Sequence, residues 1–268
     1  MNPVTVIEGK GPVILAQPHS GTYIPSEIFA RLNDLGKTLI DTDWHVDRLY
    51  DGLLSSASVV RANFHRYVID ANRDPSGASL YPGQNTTGLV PTVTFDDEPI
   101  WNEEPDENEI ERRRFEFHMP YHLVLAAEID RVREKHGLAV VYDCHSIRSV
   151  IPFLFEGTLP DLNIGTNNGV TCTPDMEKAV ADICASSSFT SVLNGRFRGG
   201  WTTRHYGQPK GGVHAVQMEI AQSAYLETEK APFAYSDAKA ENLRKLLKTI
   251  LERLEELALI GALNGAEK

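Results

Sequence analysis

The sequence predicts an α/β fold, a mostly parallel or mixed sheet between two helical layers. Short apolar runs recur along the chain, amphipathic helical patterns separate them, and polar motifs follow several of the runs. Alternating strands and helices are typical of this three-layer α/β/α architecture. With 268 residues, 41% of them hydrophobic, the chain is expected to form one domain, 1–268, with a substantial core.

In the first part of the chain, runs of β-branched and aromatic residues predict strands at 13–17, 58–62 and 67–70. The amphipathic segment 43–54 predicts a helix, with Asp41 or Thr42 as its cap. Residues 74–94 are rich in Pro, Gly, Ser and Thr, which indicates a long functional loop.

A long helical pattern follows at 107–135, and Pro120 within it predicts a kink or a break. Its charged residues, Arg112 to Arg114 among them, are expected on a solvated face with ion pairs four residues apart. Residues 199–207, flanked by glycines, predict a loop. The remaining predicted strands or extended segments are 140–146, 151–155, 162–165, 192–195 and 214–220, and the remaining helices are 174–184 and 237–259.

Composition excludes several classes of protein. The net charge of -11, from 37 acidic and 26 basic residues, argues against nucleic-acid binding. Without a signal-peptide pattern or an apolar run of membrane-spanning length, a cytoplasmic protein is expected. Three cysteines without a Cys-x-x-Cys pair exclude a zinc knuckle and disfavour disulfides. Cys144 is expected to be a buried thiol that points away from Asp143 and His145.

Two histidines stand at the ends of predicted strands. His19 follows the strand 13–17, and His145 comes two residues after Asp143 at the end of the strand 140–146. Functional groups of α/β proteins collect at the carboxyl edge of the sheet. We therefore expect both rings to meet there and to hold a metal through one nitrogen each. With a carboxylate and an open position for water, they would match catalytic zinc.

The carboxylate ligand is harder to assign. Asp41 and Asp43 lie in a five-residue segment that also holds Trp44 and His45. Asp43 and Asp47 are four apart in the predicted helix, so both could lie on one face. Either acid could instead interact with the helix dipole. We predict Asp43 as the ligand, with Asp47 and Asp41 as alternatives.

Two further motifs indicate substrate binding and proton transfer. Asn72 and Arg73 follow a predicted strand and would suit a substrate carboxylate, although Arg73 could also pair with a neighbouring aspartate. Glu219 stands within an apolar strand, where burial would raise its pKa and let it take a proton from a metal-bound water. A structural ion pair with an arginine is the alternative for Glu219.

Seven motifs, in this order, resemble those of N-formylglutamate amidohydrolases, and they span about residues 13 to 226. They are Pro18–Gly21, Asp41–His45, Asp70–Arg73, Asp143–Ser149, Asn194–Phe197, Thr203–Gly207 and Gln217–Ser223. The resemblance implies a zinc-carboxypeptidase-like (phosphorylase/hydrolase-like) fold, shared more distantly with aspartoacylase-type deacylases. In those relatives a His, a Glu three residues later and a second His hold zinc. Thr22 stands where that Glu would fall, so the carboxylate must come from elsewhere, and Asp43 is assigned by elimination.

The resemblance also implies an activity, the hydrolysis of N-formyl-L-glutamate to formate and L-glutamate in bacterial histidine breakdown. A divalent metal, with Zn2+ as the first choice, would activate water, and Glu219 would be the general base. The small-molecule substrate has two carboxylates and needs two cationic contacts, for which Arg73 is the first candidate and Arg148 and Arg204 are the next.

Two alternatives stay open. A related metal-dependent deacylase or peptidase for another N-acyl amino acid would share the metal and Glu219. A non-catalytic carboxylate-binding module would not need Glu219, so the presence of that acid argues against it. The oligomeric state is not predicted.

Overall fold

A seven-stranded mixed sheet forms the centre of the computed structural model, which describes residues 2–79 and 83–263. The strands are β1 Val4–Ile7, β2 Val13–Gln17, β3 Ser58–Ala62, β4 Ala139–Ile147, β5 Leu162–Gly165, β6 Ser191–Leu193 and β7 Val213–Ala221. Their order across the sheet is β1-β3-β2-β4-β7-β5-β6. The β1/β3 and β5/β7 pairs are antiparallel and the other neighbours are parallel.

Helices cover both faces of this sheet. They are α1 Ser26–Phe29, α2 Val46–Tyr50, α3 Glu107–Arg113, α4 Met119–His136, α5 Pro174–Ala185, α6 Trp201–Tyr206 and α7 Asp237–Leu259. One core joins α2, α5 and α7 to one face of the sheet, and a second core joins α1 and α4 to the other. The predicted three-layer α/β/α fold is therefore confirmed.

The central strands β4 and β7 are buried along all nine residues of each. A strand covered on both faces needs apolar side chains on both, which explains its nearly continuous apolar sequence. Tyr142 and Cys144 point into the core that holds α7, whereas Val141 points into the core that holds α4. Cys144 is thus the buried thiol that the sequence predicts, and all three cysteines are free.

The predicted helix 43–54 is wrong in its extent. Helix α2 covers only Val46–Tyr50 and begins after His45, whose φ of 60° lies in the left-handed region. Asp41 and Thr42 therefore do not cap it, and Asp43 does not share a helix face with Asp47. A residue with positive φ cannot continue a right-handed helix, so Asp43 stays in the preceding turn.

Three other predictions are also wrong. Residues 67–70 do not form the predicted strand, and residues 151–155 contain a turn instead of a strand or extended segment. Val68 and Ile69 are nevertheless fully buried in the core that holds α4. Their apolar character reflects burial without strand pairing. Residues 199–207 contain helix α6, which at six residues is too short to show helical periodicity.

The interruption predicted at Pro120 is confirmed, because a π-helical segment, Arg114–His118, separates α3 from α4. Arg113 contradicts the predicted solvated face. It is fully buried, pairs with Glu109 and donates a hydrogen bond of 3.1 Å to the carbonyl of Val68. The 107–135 segment thus anchors the turn 67–70. Within the described ranges, no helix is both long and apolar enough to cross a membrane.

Candidate active site

The predicted metal ligands His19, Asp43 and His145 lie together at the carboxyl ends of β2 and β4. One ligand atom from each residue falls within 4.8 Å of the others, and all three side chains are buried. His19 follows β2, His145 lies near the end of β4, and the two strands are parallel neighbours. Asp43 joins them from the turn before α2, where its backbone N–H donates to the His19 carbonyl at 3.2 Å.

Buried carboxylates hold the far side of each imidazole. Nε2 of His19 lies 2.6 Å from Oδ1 of Asp70, and Nε2 of His145 lies 3.0 Å from Oδ1 of Asp143. With its proton on Nε2, each ring donates to its carboxylate and turns the lone pair of Nδ1 toward the cluster. Carboxylate–histidine pairs of this kind orient metal-ligating histidines in proteins.

Three electron-rich atoms consequently converge. Nδ1 of His145 lies 3.2 Å from Nδ1 of His19 and 3.1 Å from Oδ2 of Asp43, and the distance from His19 to Asp43 is 3.7 Å. Tetrahedral zinc with bonds of about 2.0–2.2 Å separates its ligand atoms by about 3.3 Å. Donor type and spacing therefore fit a divalent metal.

The electrostatics of the cluster also favour a cation. Burial acts to lower the pKa of His145, but Asp143 and Asp43 hold that pKa well above its usual value. Burial acts to raise the pKa of Asp43, but the Arg66 guanidinium and the two histidines hold it well below its usual range. Arg66 donates to Asp43 directly, and the Ser146 N–H donates to it at 3.1 Å. Asp43 thus stays ionised, as a metal ligand must be.

The other two candidate ligands lie elsewhere. Asp41 accepts hydrogen bonds from the Tyr67 hydroxyl at 2.8 Å and the Phe95 N–H at 3.0 Å. Asp47 pairs with Arg61 at 3.1 Å. Neither belongs to the metal-sized cluster found among the described residues.

Glu219 lies beside this cluster. It is the register partner of His145 across the parallel pair β4 and β7, so both side chains point to the same face. Glu219 is only 7% exposed, and burial raises its pKa to about 7, against the opposing effect of His145. Nε2 of Gln217 donates to Oε2 of Glu219 at 3.0 Å.

Gly200 connects Gln217 with Asn72. Its backbone N–H donates to Oε1 of Gln217 at 2.6 Å, and a Cβ at this position would lie 2.3 Å from Nδ2 of Asn72. Asn72 in turn accepts a hydrogen bond of 2.8 Å from the Thr202 N–H, and its Nδ2 lies 3.0 Å from Nε2 of His145. Asn72 is thus packed against the cluster, and only 3% of it is exposed.

The cluster opens into a cavity of about 600 Å³, including the space that opens to solvent. His19, His145 and Glu219 line it, and we call this part of the wall the candidate catalytic side. Among the described residues, its wall includes the apolar side chains of Phe95, Ile147, Leu154 and Phe197 and the cations Arg66, Arg73 and Arg196.

Arg73, the predicted substrate contact, lines this cavity. Its Nε donates to the Thr87 carbonyl and its Nη2 to the Thr87 hydroxyl, both at 3.0 Å. Two buried histidines fix the backbone around it. Nε2 of His118 lies 3.0 Å from the Arg73 carbonyl, and Nε2 of His122 lies 2.8 Å from the Ala71 carbonyl. The π-helical segment and α4 thus position the segment that carries Asn72 and Arg73.

The other two predicted arginine contacts are placed differently. Arg148 pairs with Asp96 at 2.6 Å and with Asp41 at 3.5 Å, and Arg204 donates to the Gly199 carbonyl at 2.8 Å. Neither is among the described residues that line the cavity. Arg66 and Arg196 line it instead, and sequence reasoning missed both. Arg196 belongs to the motif Asn194–Phe197, which offered a signal, whereas Arg66 precedes a segment mistaken for a strand.

Comparison with known proteins identifies the family. The model of the N-formylglutamate amidohydrolase family matches residues 11–226. The chain belongs to this family. It is 43% identical to an N-formylglutamate deformylase of Pseudomonas aeruginosa over 92% of this chain and 93% of that protein. It is equally similar, at 43% identity over the same shares, to an N-formylglutamate deformylase of Pseudomonas putida. The family predicted from the ordered motifs is confirmed.

A solved structure shows the same fold. The N-formylglutamate amidohydrolase of Ralstonia eutropha superposes with a TM-score of 0.82, covering 97% of this chain and 100% of that one, at 23% identity. A gene product of Agrobacterium tumefaciens is also similar, with a TM-score of 0.71 and 22% identity, covering 95% of this chain and 97% of that one. At these identities the likeness concerns the fold alone.

Proposed function

We propose that this amidohydrolase hydrolyses N-formyl-L-glutamate to formate and L-glutamate, with a divalent metal held by His19, Asp43 and His145. The observation that carries the proposal is the position of Glu219, directly beside three convergent metal-type ligands and in the same cavity. The names of the two Pseudomonas relatives support the substrate. A place in histidine breakdown is proposed from the resemblance alone, and the cytoplasmic location stays an expectation from the sequence.

A metal in this site would acidify a bound water and polarise the formyl oxygen. Two neutral imidazoles and one carboxylate favour zinc, since this donor set is common in catalytic zinc sites. Asp70 and Asp143 would keep both imidazoles in the ligating tautomer, because each accepts the proton of an Nε2 atom.

Glu219 would act as the general base and then as the general acid. It would take a proton from the attacking water, whose oxygen forms a bond to the formyl carbon. The C–N bond then breaks, and Glu219 would return the proton to the departing amine of glutamate. A carboxyl whose pKa is about 7 can both accept and donate this proton near neutral pH. The hydrogen bond from Gln217 would orient the carboxylate for both steps.

Arg66 would stabilise the negative charge that develops on the formyl oxygen. It lines the cavity and is 5% exposed, and its Nε has no hydrogen-bond partner within the described part of the chain. A fixed cation in a buried site stabilises developing charge more strongly than water does. Arg73 would bind a substrate carboxylate through its planar fork.

Assays of the purified protein against N-formyl-, N-acetyl- and N-carbamoyl-L-glutamate would test the proposal. We expect the formyl compound to be hydrolysed fastest. Prolonged chelation should remove both metal and activity, and zinc should restore both. Full activity in protein shown by elemental analysis to be metal-free would contradict the metal site, and a preference for another acyl group would contradict the substrate.

A further inference from the structure

We propose that Arg196 binds the side-chain carboxylate of the substrate and thereby selects N-formyl amino acids that carry two carboxylates. This inference rests on the proposed function and adds a specificity residue to it. N-formylglutamate has two negative charges, so a selective site needs a cation for each.

Arg66 and Arg73 both lie close to the candidate metal ligands or to the carboxylates that hold them. Arg66 donates to the candidate ligand Asp43. Arg73 lies 3.7 Å from Asp70, the carboxylate that holds His19. The α-carboxylate is attached to the same carbon as the scissile nitrogen, so it must lie close to the reacting atoms. Arg73 is the cation placed for it.

Arg196 contacts a different part of the wall. Its Nε donates to the Leu154 carbonyl at 2.9 Å and its Nη2 to the Asn85 carbonyl at 2.8 Å. Its guanidinium also lies over the Phe197 ring, 5.3 Å from the centroid. These two hydrogen bonds to carbonyl oxygens hold the guanidinium in a fixed orientation at the cavity wall. Such an orientation lowers the entropic cost of binding a carboxylate.

Both cations contact the described part of the loop predicted at 74–94, of which residues 80–82 lie outside the described residues. Arg73 donates to Thr87 and Arg196 donates to Asn85, so both guanidinium groups are fixed to one three-residue segment of this loop. The side chains of Leu154 and Phe197 line the cavity next to Arg196. They would contact the two methylene groups that separate the carboxylates of glutamate.

A comparison of two substrates in three proteins tests the proposal. N-formyl-L-glutamine has the shape of N-formyl-L-glutamate but lacks the side-chain charge. We expect the wild type to prefer the glutamate compound in kcat/KM by roughly 10- to 100-fold, as is usual for a hydrogen bond to a charged group. Arg196→Met should lose this preference by losing activity on formylglutamate, chiefly through a higher KM, with little change on formylglutamine.

Arg198→Met is the matched control. Arg198 lies two residues away, is exposed, donates to the Gly195 carbonyl and does not line the main cavity. It should keep the wild-type preference. Thermal melting checks the fold of each variant, and Arg196→Gln replaces the Met variant if that protein melts early.

The outcomes separate the two proposals. An Arg196 variant that loses the same factor on both substrates, or keeps the preference, would overturn the role of Arg196 and leave the proposed function standing. A preference lost equally in Arg198→Met would also overturn it, since general surface charge would then suffice. A wild type that hydrolyses neither compound would remove both proposals.

Discussion

The candidate catalytic side of the cavity and its candidate substrate-binding side are built from different kinds of structure. His19, Asp43 and His145 are at most 3% exposed. Buried hydrogen bonds hold the two histidines at the ends of β2 and β4, and the backbone N–H of Asp43 donates to the His19 carbonyl. Arg73 is 22% exposed and is held by a loop. A rigid strand edge suits groups that must meet within a few tenths of an ångström, whereas a loop can vary to suit a substrate. Changes on the catalytic side should therefore reduce kcat, and changes on the other side should raise KM.

The largest effect is expected from the metal ligands. His19→Ala and His145→Ala should each lose bound metal and lower kcat by roughly a thousandfold or more, because several kcal/mol of transition-state stabilisation would be lost. Elemental analysis and steady-state kinetics measure both effects. His136→Ala, a histidine outside the cluster that contacts the Lys10 carbonyl, is the control. Full metal occupancy in both ligand variants would rule out the site. If Asp43→Ala alone keeps metal, another carboxylate is the ligand.

Glu219→Gln tests the other half of the catalytic side. The amide cannot accept a proton, so kcat should fall by roughly 10²- to 10⁴-fold while fold and metal are kept. If Glu219 were instead a structural ion-pair partner, the variant would unfold more easily and turn over at nearly the wild-type rate. Measuring kcat and the unfolding midpoint on the same preparation distinguishes these cases. Glu177→Gln changes a half-buried carboxylate outside the cavity and should keep wild-type turnover.

Arg73→Lys tests the substrate-binding side. An ammonium cannot reproduce the two-donor fork, so kcat/KM should fall by roughly 10- to 100-fold with metal retained. The same kinetic measurements on Arg148→Lys test the alternative substrate contact, because Arg148 is an arginine that already pairs with Asp96. A larger loss in Arg148→Lys than in Arg73→Lys would reverse the assignment.

The smallest effect is expected from His118, which connects the helical layer to the substrate-binding side. His118→Leu removes one hydrogen bond to the Arg73 carbonyl, so KM should rise by roughly two- to tenfold, with kcat and metal content nearly unchanged. His205→Leu, an exposed ring stacked on Trp201, is the control. A fall in kcat with an unchanged KM would mean that His118 acts on the catalytic side instead.

The same contrast explains what could be predicted from the sequence. Strands β2, β4 and β7 and helix α7 have long, regular apolar patterns, and helix α7 has the predicted bounds. Since parallel strands end at a common edge, the meeting of His19 with His145 followed from strand positions alone. Asp43 was harder, because a left-handed residue and a five-residue helix place it, and neither has a periodic signature.

The arginines show where such reasoning fails. Arg66, Arg148 and Arg196 all stand in polar motifs or beside apolar turns, and nothing in their local sequence indicates which carboxylates lie nearby. Arg148 pairs with acids that are 52 and 107 residues away in the chain. Ion pairs over such separations depend on how loops pack, and hydrophobic periodicity carries no information about loop packing.

Gly200 has a consequence for reading sequence variation in this family. An added methyl group would push against Asn72, which touches His145, and would disturb the N–H that holds Gln217, which touches Glu219. One atom would thus disorder a candidate metal ligand and the candidate base together. In a saturation library, we expect this position to tolerate substitution about as poorly as the ligands do, although it contributes no side chain to the reaction. At Gly200, intolerance to mutation would reflect the lack of space for a side chain next to Asn72.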